Sequence, residues 1–407
     1  MTCKSCKSAD IIEVLSLIKQ PLANSFHEET DNSKEKTYPL RIECCKNCEL
    51  VQLSDDSYVS RELLFKEYSY ASSVAEGLRN HFREFANTLA KEFYNNSLLV
   101  DIGSNDGVFL KPLKEAGIKA IGVESAQNLA ELANSKDLNT LCGFFDAKTV
   151  ETIMKEHGKA DVITAFNVFA HLEEINSFTN DVKSLLKSSG IFIVEIQYFG
   201  DMIKDMTFDN IYHEHVLYWT ITSLNNFFTN HEMTVFRVER INTHGGSLRV
   251  YVAKDNRIVE NSVKDLMNEE RLVDLNNKNT IIEFASNVDL KLAKLREVFK
   301  ELKDKGNKIA GYGAPAKSST LINSIGLTNE TIDYIVEDSK LKQGLVTPGS
   351  KIPIVDSNML ETNRPDYLVI FAWNYADEII RKIEDRYQKF NYIIPMPELK
   401  IIQNSKH

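Results

Sequence analysis

The chain has no excess of positive charge: 48 Lys and Arg residues stand against 58 Asp and Glu, a formal net charge of −10. That balance argues against a nucleic-acid partner, which needs a basic surface, while leaving room for a local basic pocket around a small anion. No apolar run is long enough to span a bilayer; IFIVEI (191–196) is strand-sized. The opening MTCKSCKSAD lacks the apolar stretch of a signal peptide. There is no repeat at solenoid periods and no low-complexity tract. No glycine-rich turn carries a clear Gly-x-Gly-x-x-Gly fingerprint, which counts against a nicotinamide oxidoreductase. These absences lead us to expect a cytoplasmic protein with no membrane contact, monomeric, in a compartment where structural disulfides are rare.

What is present is organised in three parts. A chain of 407 residues, 43% hydrophobic and 26% charged, can build two or three domains with real cores. Residues 1–75 read as a loop-rich module with five of the six cysteines, its polar run HEETDNSKEKT (27–37) a solvated loop. Apolar spacing from Arg61 to Phe93 suggests a helix leading out of it. Over 76–258 the pattern is strand, glycine turn, helix, repeated, which implies a parallel sheet with helices on both faces, with MTVFRVERI and GGSLRVYVA as antiparallel additions. In 259–407 a long amphipathic stretch (263–302) precedes a second, smaller strand–helix series. The fold expected is α/β: a small zinc module, a central Rossmann-like domain and a smaller open-sheet C-terminal domain.

Cys3-x-x-Cys6 and Cys45-x-x-Cys48 lie about 38 residues apart and supply four thiolates, enough to close a tetrahedral structural zinc site with no open position. Cys44 beside Cys45 blurs the register, and matching spacing favours Cys45. Cys142 reads as buried filler. In VDIGSNDGVFL (100–110) an acid, Asp101, ends a strand, and Gly103, Asn105 and Gly107 occupy the turn before a helix. Glycine there lets the backbone approach a ligand. Asp101 can take an ammonium, and Glu124, at the end of the next strand, both ribose hydroxyls. That set suits the zwitterion of S-adenosylmethionine better than a pyrophosphate. Phe145 and Asp146 are placed to frame adenine; Asn167 and His171 lie where the methionine moiety would end.

IYHEH (211–215) gathers Tyr212, His213, Glu214 and His215 after the last parallel strand. A histidine with a carboxylate neighbour can act as a general base near neutral pH. His213 and His215 point opposite ways if extended, so only one can face a given ligand. HGGSLR adds His244 and Arg249. GYGAPAK places Tyr312 and Lys317 at a helix N-terminus, an anion-site pattern. FAWN adds Asn374 on the same face.

The order CKSC…CKNCELVQ, EYSYASS, VDIGSNDGVFL, NVFAHLEE, YHEHVLYW, HGGSLRVYV, GYGAPAKSSTLIN, LKQGLVTPG, FAWNYADEI resembles the sugar C-methyltransferase family acting on nucleotide-linked keto sugars, over nearly the whole chain. The resemblance implies an N-terminal zinc module, a central S-adenosylmethionine domain and a C-terminal domain that helps hold the nucleotide sugar. It implies His215 as the base, with Tyr212 and Glu214 beside it, and a tyrosine of EYSYASS facing the sugar, Tyr70 with Tyr68 as the alternative. A ketone acidifies the neighbouring C3 hydrogen. On that reading His215 removes it, tyrosine hydroxyls or His244 steady the oxyanion, and the carbon takes the methyl. Tyr68, His213, Arg249, Tyr312, Lys317 and Asn374 are expected around the sugar nucleotide. Two rival readings remain: an O- or N-methyltransferase with the same cofactor turn, and an inactive zinc-stabilised binding protein.

Overall fold

The computed structural model describes residues 2–30, 35–64, 76–92, 97–243, 245–274 and 277–404. A seven-stranded sheet runs in the order Thr234–Ile241, Ser247–Ala253, Leu186–Gln197, Ala160–Phe166, Leu98–Ile102, Lys119–Glu124, Thr140–Cys142. The last five strands are parallel, and the first two add as an antiparallel hairpin at the edge. Leu98–Ile102 is buried along its whole length, as a strand covered on both faces must be. Helices Gln127–Asn134, Ala147–His157 and Ile175–Leu185 each bury residues at helical spacing: Leu129 and Ala133, Val150 and Ile153, and Phe178, Val182 and Leu185. The chain leaves Leu98–Ile102 toward one edge and returns at Ala160–Phe166 on its other side. That reversal opens a crevice at the carboxyl ends of these strands, where open α/β sheets bind ligands.

The N-terminal part is less loop-rich than its sequence suggests. Strands Ile11–Gln20, Tyr38–Cys45 and Val51–Leu53 form a sheet completed by Leu217–Tyr218 from the far side of the chain. Register shifts at Glu13/Leu15 and Leu17/Gln20 break the alternation of Ile11–Gln20, which hides the strand from a period-two reading. The polar run at 27–37 is also not wholly a loop: His27–Glu28 pairs with Leu345–Val346.

The C-terminal part is a six-stranded sheet in the order Ile354–Val355, Ile335–Val336, Ile309–Tyr312, Tyr367–Ile370, Asn391–Ile394, Lys400–Ile402. The amphipathic stretch before it resolves into two helices, Asn261–Val273 and Lys278–Asp304. The second buries Ile281, Phe284, Val288, Leu292, Leu295 and Phe299 in one core with Leu40, Ile42 and Leu53 of the N-terminal sheet. The helix expected from Arg61 is seen as Arg61–Leu64 and Glu76–Glu92, with 65–75 outside the described residues. Cys142 is exposed, not buried filler. Among the described residues no helix is long and apolar enough to cross a membrane.

Candidate active site and zinc centre

Cys3, Cys6, Cys45 and Cys48 bring four Sγ atoms within 4.8 Å of one another, with Cys3–Cys48 at 3.4 Å and Cys6–Cys45 at 3.5 Å. A tetrahedral zinc with Zn–S bonds of about 2.3 Å has sulfur–sulfur edges of roughly 3.8 Å, so the cluster fits that ion. Three of the four are buried, and Cys48 leads almost directly into the strand Val51–Leu53. Cys44 directs its thiol at the Cys45 carbonyl and packs in a different core, which settles the register.

At the crevice lies a cavity of about 350 Å³, lined from all three parts of the chain. Its first wall is the turn after Leu98–Ile102. Gly103 has φ +71°, and a Cβ there would meet Val168 Cγ2 at 2.3 Å, so only glycine fits. Glu124 accepts backbone amides from Asn105 and Ala126, each at 2.8 Å, and so sets the turn against the next strand. Asp101 is wholly buried and accepts the Thr164 hydroxyl at 2.6 Å. Burial pushes its carboxyl up to about 7, with the Glu124 and Glu195 charges adding. Among the described residues neither Asp101 nor Glu124 has a Lys or Arg ion-pair partner. Two buried acids facing a cavity fit a ligand that brings its own positive charge and hydroxyl donors, as S-adenosylmethionine does. Asn167 and His171 line the same cavity.

The second wall is the YHEH segment. Val216 is pinned on both sides, its amide to Ala170 O at 2.8 Å and its carbonyl accepting Leu53 N at 2.9 Å. Leu217 and Tyr218 then pair with Gln52 and Val51. The backbone is thereby fixed from the residue that directly follows the histidine. His215 Nδ1 donates to Asn210 O at 2.8 Å, so the basic lone pair is on Nε2, and the Tyr212 hydroxyl donates to it at 2.8 Å. The two rings lie 4.1 Å apart. His171 packs edge-on against His215 at 4.9 Å and donates through Nδ1 to Glu214 O at 2.7 Å. The Glu214 side chain is 5% exposed, and burial pushes its carboxyl up to about 7.

The third wall comes from the C-terminal sheet. Lys317, in the first turn of Ala316–Ile325, is 8% exposed, and its Nζ has no hydrogen-bond partner among the described residues. Its ammonium lies 3.6 Å from the centre of the Trp373 ring, whose indole N–H donates to buried Asp209 at 2.6 Å. Burial lowers Lys317 to about 8, against the pull of Asp209. Lys342 is a second buried lysine on this wall, donating to Ala314 O at 2.7 Å. Asn374 lines the cavity as well.

Several expected residues sit elsewhere. Gly107 packs against Leu138 instead of lining the cavity. Phe145 turns into the core against Phe178, and Phe144 lines the cavity in its place. Asp146 caps the helix Ala147–His157 by accepting Thr149 N. His213 points away from the cavity, donor to Pro39 O at 3.0 Å and edge-on to Tyr38, so it ties the segment to the N-terminal sheet. Arg249 is held by Glu195 and Glu239 and stacked 3.6 Å over Phe85. The Tyr312 hydroxyl is engaged by Asp338 and Lys382, outside the cavity. Tyr68, Tyr70 and His244 lie outside the described residues. Asn24, Phe144, Gln197, Asn210, Lys342 and Tyr375 line the cavity without having been singled out by sequence.

Three family models match in series: "Putative zinc binding domain" over 3–65, "Methyltransferase domain" over 74–237 and "C-methyltransferase C-terminal domain" over 242–397. The chain is 33% identical over 406 residues to C-methyltransferase NovU of Streptomyces niveus, covering 98% of this chain and 96% of that one. A ubiquinone biosynthesis O-methyltransferase of Bartonella tribocorum is 28% identical over 102 residues, 25% of this chain and 41% of its own. The magnesium protoporphyrin IX methyltransferase of Synechocystis PCC 6803, solved with bound SAH, covers 44% of this chain and 84% of its own at 14% identity and a TM-score of 0.36.

Proposed function

The chain belongs to the C-methyltransferase family and is an S-adenosylmethionine-dependent methyltransferase; on that premise we propose that its acceptor is a nucleotide-linked 4-keto-6-deoxy sugar, methylated at C3 through an enolate. The observation that carries this reading is one cavity lined by two uncompensated acids, a histidine–tyrosine pair and two buried lysines.

S-adenosylmethionine, when bound, supplies an electrophilic methyl on a sulfonium. Asp101 and Glu124 would take its ammonium and ribose hydroxyls, and Gly103, Asn105, Asn167 and His171 would surround the rest. His215 is the general base. Its Nδ1–H is committed to Asn210 O, so Nε2 receives the proton from the carbon beside the ketone. The electron pair left behind delocalises onto the ketone oxygen. The Tyr212 hydroxyl, displaced from Nε2 by the acceptor, then donates to that oxygen; one such donor is worth roughly 3 kcal/mol. The pair would then return through carbon to form the new carbon–methyl bond, the methyl being the one that bound S-adenosylmethionine supplies, with the electron pair of its broken bond staying on sulfur. Lys317, in the first turn of its helix, and Lys342 meet the negative charge of the diphosphate. Cytoplasmic residence would keep the four cysteines reduced for zinc.

Carbon is distinguished from oxygen by the product. With methyl-13C cofactor and a thymidine or uridine diphosphate 4-keto-6-deoxy sugar, the new methyl should appear at a carbon shift, bonded to a ring carbon. A methoxyl shift would refute carbon transfer.

A further inference from the structure

Among the described residues the N-terminal part reaches the cavity through Asn24, which no motif contains. Asn24 lies in the segment between Ile11–Gln20 and His27–Glu28, lines the cavity, and donates its Nδ2 to Glu214 Oε1 at 2.7 Å across 190 residues of sequence. The segment is tied down at both ends. Gln20 donates to Ser324 at 3.1 Å, and His27–Glu28 is paired with Leu345–Val346. Pro21 packs against Gly349, and the Gly349 amide donates to Glu35 at 2.7 Å. Phe26, on the same segment, lies 4.6 Å beneath the ammonium of Lys342. Asn24, Glu214 and Lys342 thus come from turns in the three parts of the chain to one region of the cavity wall.

We propose that Asn24 is a positioning residue of the acceptor site: it fixes the Glu214 carboxyl at the cavity wall, so that the N-terminal module takes part in the chemistry as well as bracing the fold. Its catalytic consequence rests on the acceptor reading above. A carboxylate accepts from an amide N–H better than a neutral carboxyl does, so Asn24 favours ionised Glu214 against the burial that opposes it. Lys342 acts in the same sense from a turn of the C-terminal part. His171 and His215 stand on the same wall from the central domain, and Lys317 lines the cavity from Ala316–Ile325. An ionised Glu214 next to the base would favour the imidazolium that forms when His215 takes a proton.

The test is the titration of Glu214 in full-length, zinc-loaded protein labelled with carboxyl-13C glutamate, with Glu214→Gln assigning the resonance. The wild-type midpoint should lie near 7. Asn24→Ala should raise it by roughly one pH unit, Lys342→Met should raise it too, and the nearly isosteric Asn24→Asp by more than Asn24→Ala. Zinc content should not change. An unmoved midpoint in both Asn24 variants overturns the proposal. So does loss of zinc or of cooperative unfolding in Asn24→Asp, which would assign Asn24 to folding alone. No acceptor is needed, so a keto sugar that is never methylated, alongside an intact titration shift, would refute the proposed substrate and not this role.

Discussion

Lys317 offers the sharpest handle on where an anionic acceptor binds. The residue is 8% exposed, and its ammonium has no hydrogen-bond partner among the described residues and rests on the Trp373 ring. Burial brings its pKa down to about 8, so the free site loses its charge as pH rises through that value. An anion binds the charged form. The dissociation constant of a nucleoside diphosphate should therefore be nearly flat from about pH 7 to 8 and then rise, approaching tenfold per unit. Lys317→Met removes the charge while keeping much of the buried stem. A charge-assisted hydrogen bond is worth about 1.5–3 kcal/mol, so affinity should fall roughly 10- to 150-fold and the pH dependence flatten. Calorimetry with uridine and thymidine diphosphate at several pH values measures both effects. S-adenosylhomocysteine affinity should stay near wild type. If Lys317→Met keeps wild-type affinity and the same rise with pH, Lys317 does not meet the anion.

Two further outcomes follow from the other walls. Glu124→Ala removes the acceptor for the Asn105 and Ala126 amides as well as for the ribose, so calorimetry should find S-adenosylhomocysteine weakened by about 1–3 kcal/mol; equal wild-type affinity for NAD would count against the assignment of the turn. Metal analysis should find about one zinc per chain, lost in Cys45→Ser. Because Val51–Leu53 pairs with Leu217–Tyr218 two residues beyond His215, that variant should lose turnover more than cofactor affinity, and unchanged turnover without zinc would break the link.

Contiguous chemistry was legible in the sequence. The paired cysteines, Asp101 with Gly103, and Tyr212 with His215 each lie within a few residues; in the structure the four Sγ atoms converge, Asp101 and Gly103 line one cavity, and the Tyr212 hydroxyl donates to His215. What sequence could not supply was the partner across a sheet. Arg249 looked like a substrate cation, yet it lies in register between Glu195 on one neighbouring strand and Glu239 on the other, and both capture it. The shift from Phe145 to Phe144 is a one-residue displacement in a short turn, where alternation does not say which ring faces inward. Asn24 carried no signal at all, because its meaning comes from Glu214, 190 residues away. The N-terminal strands were hidden for a different reason: register shifts in Ile11–Gln20 break the alternating pattern, and the fourth strand of their sheet comes from residues 217–218.

The central claim is that His215 removes a proton from carbon before the methyl is transferred. It is tested most directly by incubating the wild type and His215→Gln with a nucleoside diphosphate 4-keto-6-deoxy sugar and S-adenosylhomocysteine in deuterated water. No methyl is available under those conditions, so exchange reports the base alone. The wild type should wash deuterium into C3, and the variant should bind both ligands yet exchange about 10²- to 10⁴-fold more slowly. Exchange in His215→Gln at the wild-type rate would contradict the account.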